Sequence, residues 1–388
     1  MLVLIESIPS FLPINLKMQR KYINKMEFSE ATKILILLSN NFDESSLPVP
    51  PAKLRKIITL FNEKNISLTE LTSQNHKLLL EIESNTGLDK VQITHQLSYG
   101  MRLAMKIDEW KNLGIWCVSI VDIDRFPLKL LSKARQKINP LLFGSGDLSI
   151  LSNPSVGIVG SRDVSENTIQ YIHKAVEKFT NNGISIISGG AKGVDLAAMN
   201  HALELGHCVI GVLPSELNKS LRDMETIRYI TDNQLLLLSP EMPESLWTIG
   251  RAMGRNKYIY LLSNAVLVGQ ISKPSGGTWT GIQECSKNAW NKIYIKSQNL
   301  DFKLQQELLQ LSDVALDKNL SIEELLAIND IDIENLSIKE VSVHLNKSVS
   351  AAKSYITKNN LVCLDYPIKK KIHKDLDANE KGKQSDLF

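Results

Sequence analysis

The chain has little cysteine, and what it has forms no pattern. Its four cysteines, Cys117, Cys208, Cys285 and Cys363, lie far apart with no C-x-x-C. That spacing excludes a disulfide scaffold and a Cys/His zinc site. It fits small buried apolar residues in a reduced, cytoplasmic compartment. The seven histidines form no H-E-x-x-H, so no metal or other cofactor is implied. No stretch reaches the ~20 apolar residues of a membrane span. The apolar start, residues 1–17, is broken by Glu6, Pro9 and Pro13, and it lacks a basic leader and a small-residue cleavage site. Net charge is also nearly absent: 45 Lys+Arg against 42 Asp+Glu leave +3. A balance that small names no partner, and any nucleic-acid surface has to come from local clustering. With 43% hydrophobic and 22% charged residues, the 388-residue chain is neither disordered nor collagen-like, and its length suggests two or three domains.

Hydrophobic periodicity divides the chain. Residues 1–26 form an N-terminal extension. In residues 27–113 apolar residues recur at three-to-four spacing, as in Ala31-Ile34-Leu35-Leu38 and Leu54-Ile57-Ile58-Phe61, which predicts a helical domain. Pro48-Val49-Pro50-Pro51 separates its first two helices. From Gly114 to residue 297 the pattern becomes short apolar runs alternating with helices. The predicted strands are Ile115–Ile120, Val156–Val159, Ile184–Ile187, Val209–Leu213, Leu235–Leu238, Ala265–Val268 and Lys292–Ile295. Continuous apolar runs of this kind belong to a mostly parallel sheet covered on both faces, an α/β domain. Residues 298–335 read as a polar helical linker. Residues 336–366 read as a helix-turn-helix unit with a second helix over Ser350–Lys358, and residues 367–388 as a charged tail with almost nothing to bury.

Three glycine-bearing loops follow three of the predicted strands: Val159-Gly160-Ser161-Arg162, Ser188-Gly189-Gly190-Ala191-Lys192-Gly193-Val194-Asp195, and Pro274-Ser275-Gly276-Gly277-Thr278-Trp279-Thr280. Each precedes a helix. Glycine permits close backbone approach, and N–H groups at helix starts favour an anion. Arg162 and Lys192 add positive charge, so a phosphate is the natural guest. Arg255-Asn256-Lys257, with Arg251 one turn earlier, reads either as a solvated basic face or as a further clamp on the same rim. Asp195 reads as the cap of the helix it opens.

These motifs, in order and spacing, resemble those of the DprA/Smf family of DNA-processing proteins. Asp124-Arg125-Phe126-Pro127 is similar to that family's D-x-Y-P, and Leu142-Phe143-Gly144-Ser145-Gly146-Asp147 to its L-F-x-x-G-D. The resemblance covers about residues 27–366. It implies an extended Rossmann fold (114–297) that binds single-stranded DNA, a sterile-alpha-like helical domain (27–113) and a winged-helix-like domain (336–366). It implies no catalytic reaction, loading of the RecA recombinase, action in DNA uptake or recombination, and self-association as a homodimer. On this basis Gly160, Ser161, Arg162, Gly189, Lys192, Gly193, Arg255, Asn256, Lys257, Ser275, Gly276 and Thr278 would line the DNA pocket. The chain departs from the family at Met199, where a His is usual, and at Lys192 and Lys257, where Arg is usual. It also lacks the Tyr-Pro expected after Leu213.

Two other readings use the same loops. A sensor of nucleotide-derived small molecules, for instance in phage defence, would need the same phosphate cradle. A nucleotide hydrolase of the cytokinin-releasing type resembles P-G-G-x-G-T-x-x-E, but here Gln283 holds the carboxylate's place and Glu284 falls one residue late, ~100° round a helix. The tail ends in Gln384-Ser385-Asp386-Leu387-Phe388. Gln384, Asp386, Leu387 and Phe388 match a short motif by which proteins dock on the DNA sliding clamp. The Ser350–Lys358 helix carries only Lys353 and Lys358, too few cations for reading a groove.

Overall fold

The computed structural model describes residues 27–271, 274–296, 300–327, 331–359 and 361–365. The N-terminal extension and the tail with Gln384, Asp386, Leu387 and Phe388 lie outside the described residues.

The helical front forms as its periodicity predicts. It comprises α1 (Glu30–Ser39), α2 (Pro51–Glu63), α3 (His76–Thr86), α4 (Lys90–Leu97) and α5 (Gly100–Asn112). Side chains of Ser29, Asn75 and Asp89 cap three of these helices, and Pro51 occupies the first position of α2, where a missing N–H costs nothing. The front is not a separate body. Trp110 is fully buried and meets Phe143 of the sheet edge-on at 5.5 Å, while its Nε1 donates to Glu244 at 2.6 Å.

The rest is built on a nine-stranded sheet: β1 (Trp116–Ser119), then α6 (Leu128–Ala134), β2 (Leu141–Ser145), β3 (Ser155–Val159), α7 (Glu166–Thr180), β4 (Ser185–Ser188), α8 (Val194–Glu204), β5 (Val209–Val212), the short helices α9 (Leu217–Ser220) and α10 (Met224–Thr231), β6 (Leu235–Ser239), α11 (Ile249–Leu262), β7 (Ala265–Val268), α12 (Gly276–Lys287), β8 (Ile293–Ile295), α13 (Phe302–Leu309), β9 (Val314–Leu316) and α14 (Ile322–Ala327). Strand order is β1-β2-β6-β5-β4-β3-β7-β8-β9. The pairs β1/β2 and β2/β6 are antiparallel and the others parallel. Strands β3 to β8 are buried throughout, as their continuous apolar runs require.

Two strands were not expected. Strand β2 contains Gly144, which interrupts its apolar run. A β-carbon there would lie 2.5 Å from both Leu237 O and the Trp116 ring, so glycine lets the strand pass close beneath them. The segment read as a helical linker, 298–335, does carry helices, but it also contributes β9 as the parallel edge strand beside β8. With three residues, half-exposed, β9 is too short to show a period.

The C-terminal unit holds α15 (Ile338–His344) and α16 (Val349–Lys358). A capping box between Ser337 and Glu340 starts α15. Glu340 also reaches Arg135 at 2.5 Å, which ties the unit to the end of α6. Among the described residues no helix is long and apolar enough to cross a membrane, and no group of three His, Cys, Asp or Glu is placed to hold a metal. None of the four cysteines is in a disulfide, and three are buried.

Candidate functional site

The three glycine loops follow β3, β4 and β7, which are neighbours in the order β4-β3-β7. Parallel pairing brings their carboxyl ends to one edge, so the loops touch. Val194 N–H donates to Ser161 O at 3.2 Å, Ser161 N–H to Gln270 O at 2.9 Å, and Thr278 Oγ1 to Gly160 O at 3.0 Å. Asn256 Nδ2 reaches Gly277 O at 3.3 Å. Gly193, with φ of 91°, lies against the main chain of Ser161 and Arg162, where no β-carbon fits. A β-carbon at Gly160 would sit 2.6 Å from Val194. Gly160, Gly193, Asn256 and Thr278 therefore act by holding the loops together.

Arg162 and Lys192 are exposed and line one open cavity of about 650 Å³, with Asp163, Leu196 and Asn200. Ser161 Oγ accepts from Asp163 N–H at 3.2 Å, which shapes the turn after β3. Ser275 and Gly276 are exposed at the start of α12, Gly276 with φ of 88°. Among the described residues no side chain caps that helix. The helix starts differ from the expectation that all three offer N–H groups to a guest. Ser165 caps α7, and at α8 the N–H groups of Val194 and Leu196 are taken by Ser161 O and Ala191 O.

Asp195 does not cap its own helix. Gly193 holds the N-cap position, and Asp195 is buried at the second helical residue. Side chains lean toward a helix's N-terminus. The carboxylate accordingly lies near the main-chain N–H groups of Gly189, Gly160 and Ala191, between the first loop and the second. Burial pushes its pKa up to about 6 against the pull of Arg255 and those N–H groups. The folded value thus lies above the ordinary 3.8. Its contribution to stability is full below that ordinary value and is lost as pH rises through about 6. The stability difference between the native chain and Asp195→Asn, measured by urea unfolding, is expected to shift against the native chain between about pH 4 and pH 7. A pH-independent difference would show that Asp195 titrates normally.

Arg255 was expected on the solvent rim, and the structure corrects this. It is only 5% exposed, and its guanidinium occupies the space a β-carbon at Gly189 would need. Its Nε and Nη1 have no hydrogen-bond partner among the described residues. Burial lowers its pKa and the neighbouring Asp195 raises it. α11 lies across the sheet, so the inward face of that helix puts Arg255 beneath the second loop. Lys257 also departs from expectation. Its Nζ donates to Lys137 O at 2.9 Å, in a different cavity from the one that Arg162 and Lys192 line. Arg251 pairs with Glu241 at 3.0 Å.

Met199, where the family has His, is 7% exposed and packs under Gly190 and against Gly211. His201 lies outside the cavity, stacked on His173 at 4.0 Å and bonded to Glu177 at 3.0 Å. Sequence reasoning passed over Leu246, Trp247, Ile249 and Met253, exposed apolar residues at and before the start of α11. Ile249, Met253 and Asn256 share one stripe of that helix, leading to the third loop. The available signal was an aromatic residue in a loop leaving a strand's carboxyl end.

Fold and loops define an α/β protein of Rossmann type whose functional edge is the carboxyl end of its parallel strands. Residues 118–309 match the family model described as DNA recombination-mediator protein A. The chain is 34% identical over 147 residues to the DNA processing protein DprA of Streptococcus pneumoniae, covering 36% of this chain and 50% of that one. Against DprA of Bacillus subtilis the identity is 28% over 150 residues, covering 37% and 49%. The chain thus spans about half the length of the curated relatives it matches. The X-ray structure of the Streptococcus pneumoniae protein superposes with a TM-score of 0.60 at 21% identity, covering 78% of this chain and 98% of that one. Over this span the chain is similar to the DprA/Smf family of DNA-processing proteins.

Proposed function

We propose that this chain binds single-stranded DNA along the carboxyl edge of its sheet, with Arg162 and Lys192 on the phosphates. The observation that carries the reading is the placement of these two exposed cations over one open cavity. Loops held by Gly193, Thr278 and the Val194 N–H fix both. Prefixed loops reduce the ordering cost of binding. The role is binding rather than catalysis, because the carboxylate of Asp195 is buried beneath the loops and not open to a ligand. Recombinase loading, self-association, a cytoplasmic place and clamp docking through Gln384, Asp386, Leu387 and Phe388 are further parts of the proposal, supported by the sequence resemblances alone.

A cavity of about 650 Å³ also has the size of a small-ligand site, so a nucleotide sensor is the second reading. Titrating fluorescent oligo-dT against mono- and dinucleotides at two salt concentrations separates them. A strand is expected to bind more tightly as it lengthens, with affinity falling steeply with salt. Equal affinity for a dinucleotide and a long strand, with little salt dependence, would replace the strand by the small ligand.

A further inference from the structure

The cavity that receives Lys257 is separate from the three-loop site. It has a volume of about 350 Å³ and lies between α2 and α11, beside the turn that follows α6. Arg55, Lys137, Arg251 and Lys257 line it, against a single carboxylate, Glu241. Glu241 is already paired with Arg251. The other three cations meet only neutral oxygens. Arg55 Nη1 donates to Ile138 O at 2.5 Å, Lys257 Nζ to Lys137 O at 2.9 Å, and Lys137 Nζ to the Asn288 side chain. Among the described residues none of the three has an ion pair. Burial lowers the pKa of Lys257; Glu284 raises it, and Arg55 and Lys137 lower it further. Burial likewise lowers that of Arg55. Positive charges so gathered and partly desolvated are costly unless an anion joins them.

We propose that this cleft is a second phosphate-binding site, with Arg55, Lys137 and Lys257 as its ligands. The planar guanidinium of Arg55 suits two phosphate oxygens, while the two lysines act as point charges. The helical front supplies Arg55 and the α/β domain the rest, so the site exists only where the two pack together. Asn139 and Pro240, at the start of β2 and the end of β6, border the cleft. It therefore opens on the same sheet edge as the three loops. From β6 to β3 is three strand spacings, roughly 15 Å. A phosphodiester strand held at Arg162 and Lys192 reaches that far, whereas a short ligand does not. Occupation by a strand rests on the function proposed above; occupation by a free phosphate compound does not.

The test uses the full chain and two probes, inorganic pyrophosphate and oligo-dT of about 4 and about 20 nucleotides. Pyrophosphate is expected to raise the thermal midpoint of the native chain and of Arg162→Ala/Lys192→Ala. It is expected to leave Arg55→Gln/Lys257→Met unmoved. In the latter variant the log–log salt slope for the long oligonucleotide is expected to fall by about 1.4, at about 0.7 per lost contact, and the short one to be unaffected. Lys137→Gln, at an exposed position, is expected to lower the slope by about 0.7 and serves if the double variant unfolds. A pyrophosphate effect alone makes a free phosphate compound the ligand; a slope effect alone makes it a strand. If the cleft variants change neither, the site does not exist. If only the three-loop variant fails to alter strand binding, the cleft stands and the loop reading falls.

Discussion

Arg162→Ala together with Lys192→Ala is expected to lower affinity for single-stranded DNA by about 10²–10⁴-fold. A charge-assisted contact to a phosphate contributes about 1.5–3 kcal/mol, so the pair contributes roughly 3–6 kcal/mol. At 1.4 kcal/mol per tenfold, that is two to four decades. The salt slope should fall with it, by about 1.4 for two contacts. Folding should be nearly unaffected, because both side chains are exposed and neither packs in the core. Fluorescence titration with oligo-dT at several salt concentrations measures both quantities. A variant with native affinity and native slope would move the strand off these loops altogether.

The second large effect is expected at Gly193. Gly193→Ala should destabilise the fold by about 2–6 kcal/mol and take the first loop's binding function with it. Two costs add. At φ of 91° and ψ of −130° an L-residue is strained by about 1–3 kcal/mol. The new methyl also meets main-chain atoms of Ser161 and Arg162, which cannot swing aside as a side-chain end does. Overpacking of that kind costs about 1–3 kcal/mol. Gly183 is the control: its φ is 73°, but a β-carbon there meets open space. Gly183→Ala should cost only the backbone strain, about 1–2 kcal/mol. Urea midpoints for the two variants decide the matter. Equal losses would show that the first loop yields and that its contact with Gly193 is not tight.

Gly189 sits in the same loop and illustrates a different case. A β-carbon there meets the guanidinium of Arg255, the end of a long side chain, rather than backbone. The two glycines look alike as letters, yet one opposes a main chain and the other a side chain.

That contrast marks where local pattern stops being informative. The continuous apolar runs of β3 to β8 announce their own burial, because a strand covered on both faces carries no polar side. The helical front is legible for the same reason, its apolar stripe recurring with the helical turn. The three loops, with Arg162 and Lys192, were readable because glycine and cation types next to strand ends have a chemical use wherever the strands lie. Tertiary structure decided which strands are neighbours, and so that the loops after β3, β4 and β7 touch. It decided that Gly144 sits inside a strand, that Val314–Leu316 closes the sheet, and that Asp195 is buried beside three loop N–H groups. It separated Arg255 and Lys257, two residues apart on α11: one is buried against the second loop, the other turned to a cleft with Arg55. A helix rotates about 100° per residue, so which of two neighbouring cations meets the sheet depends on what packs on each side. Those partners are far off in the sequence, Gly189 for Arg255 and Lys137 and Arg55 for Lys257, and no local pattern encodes them.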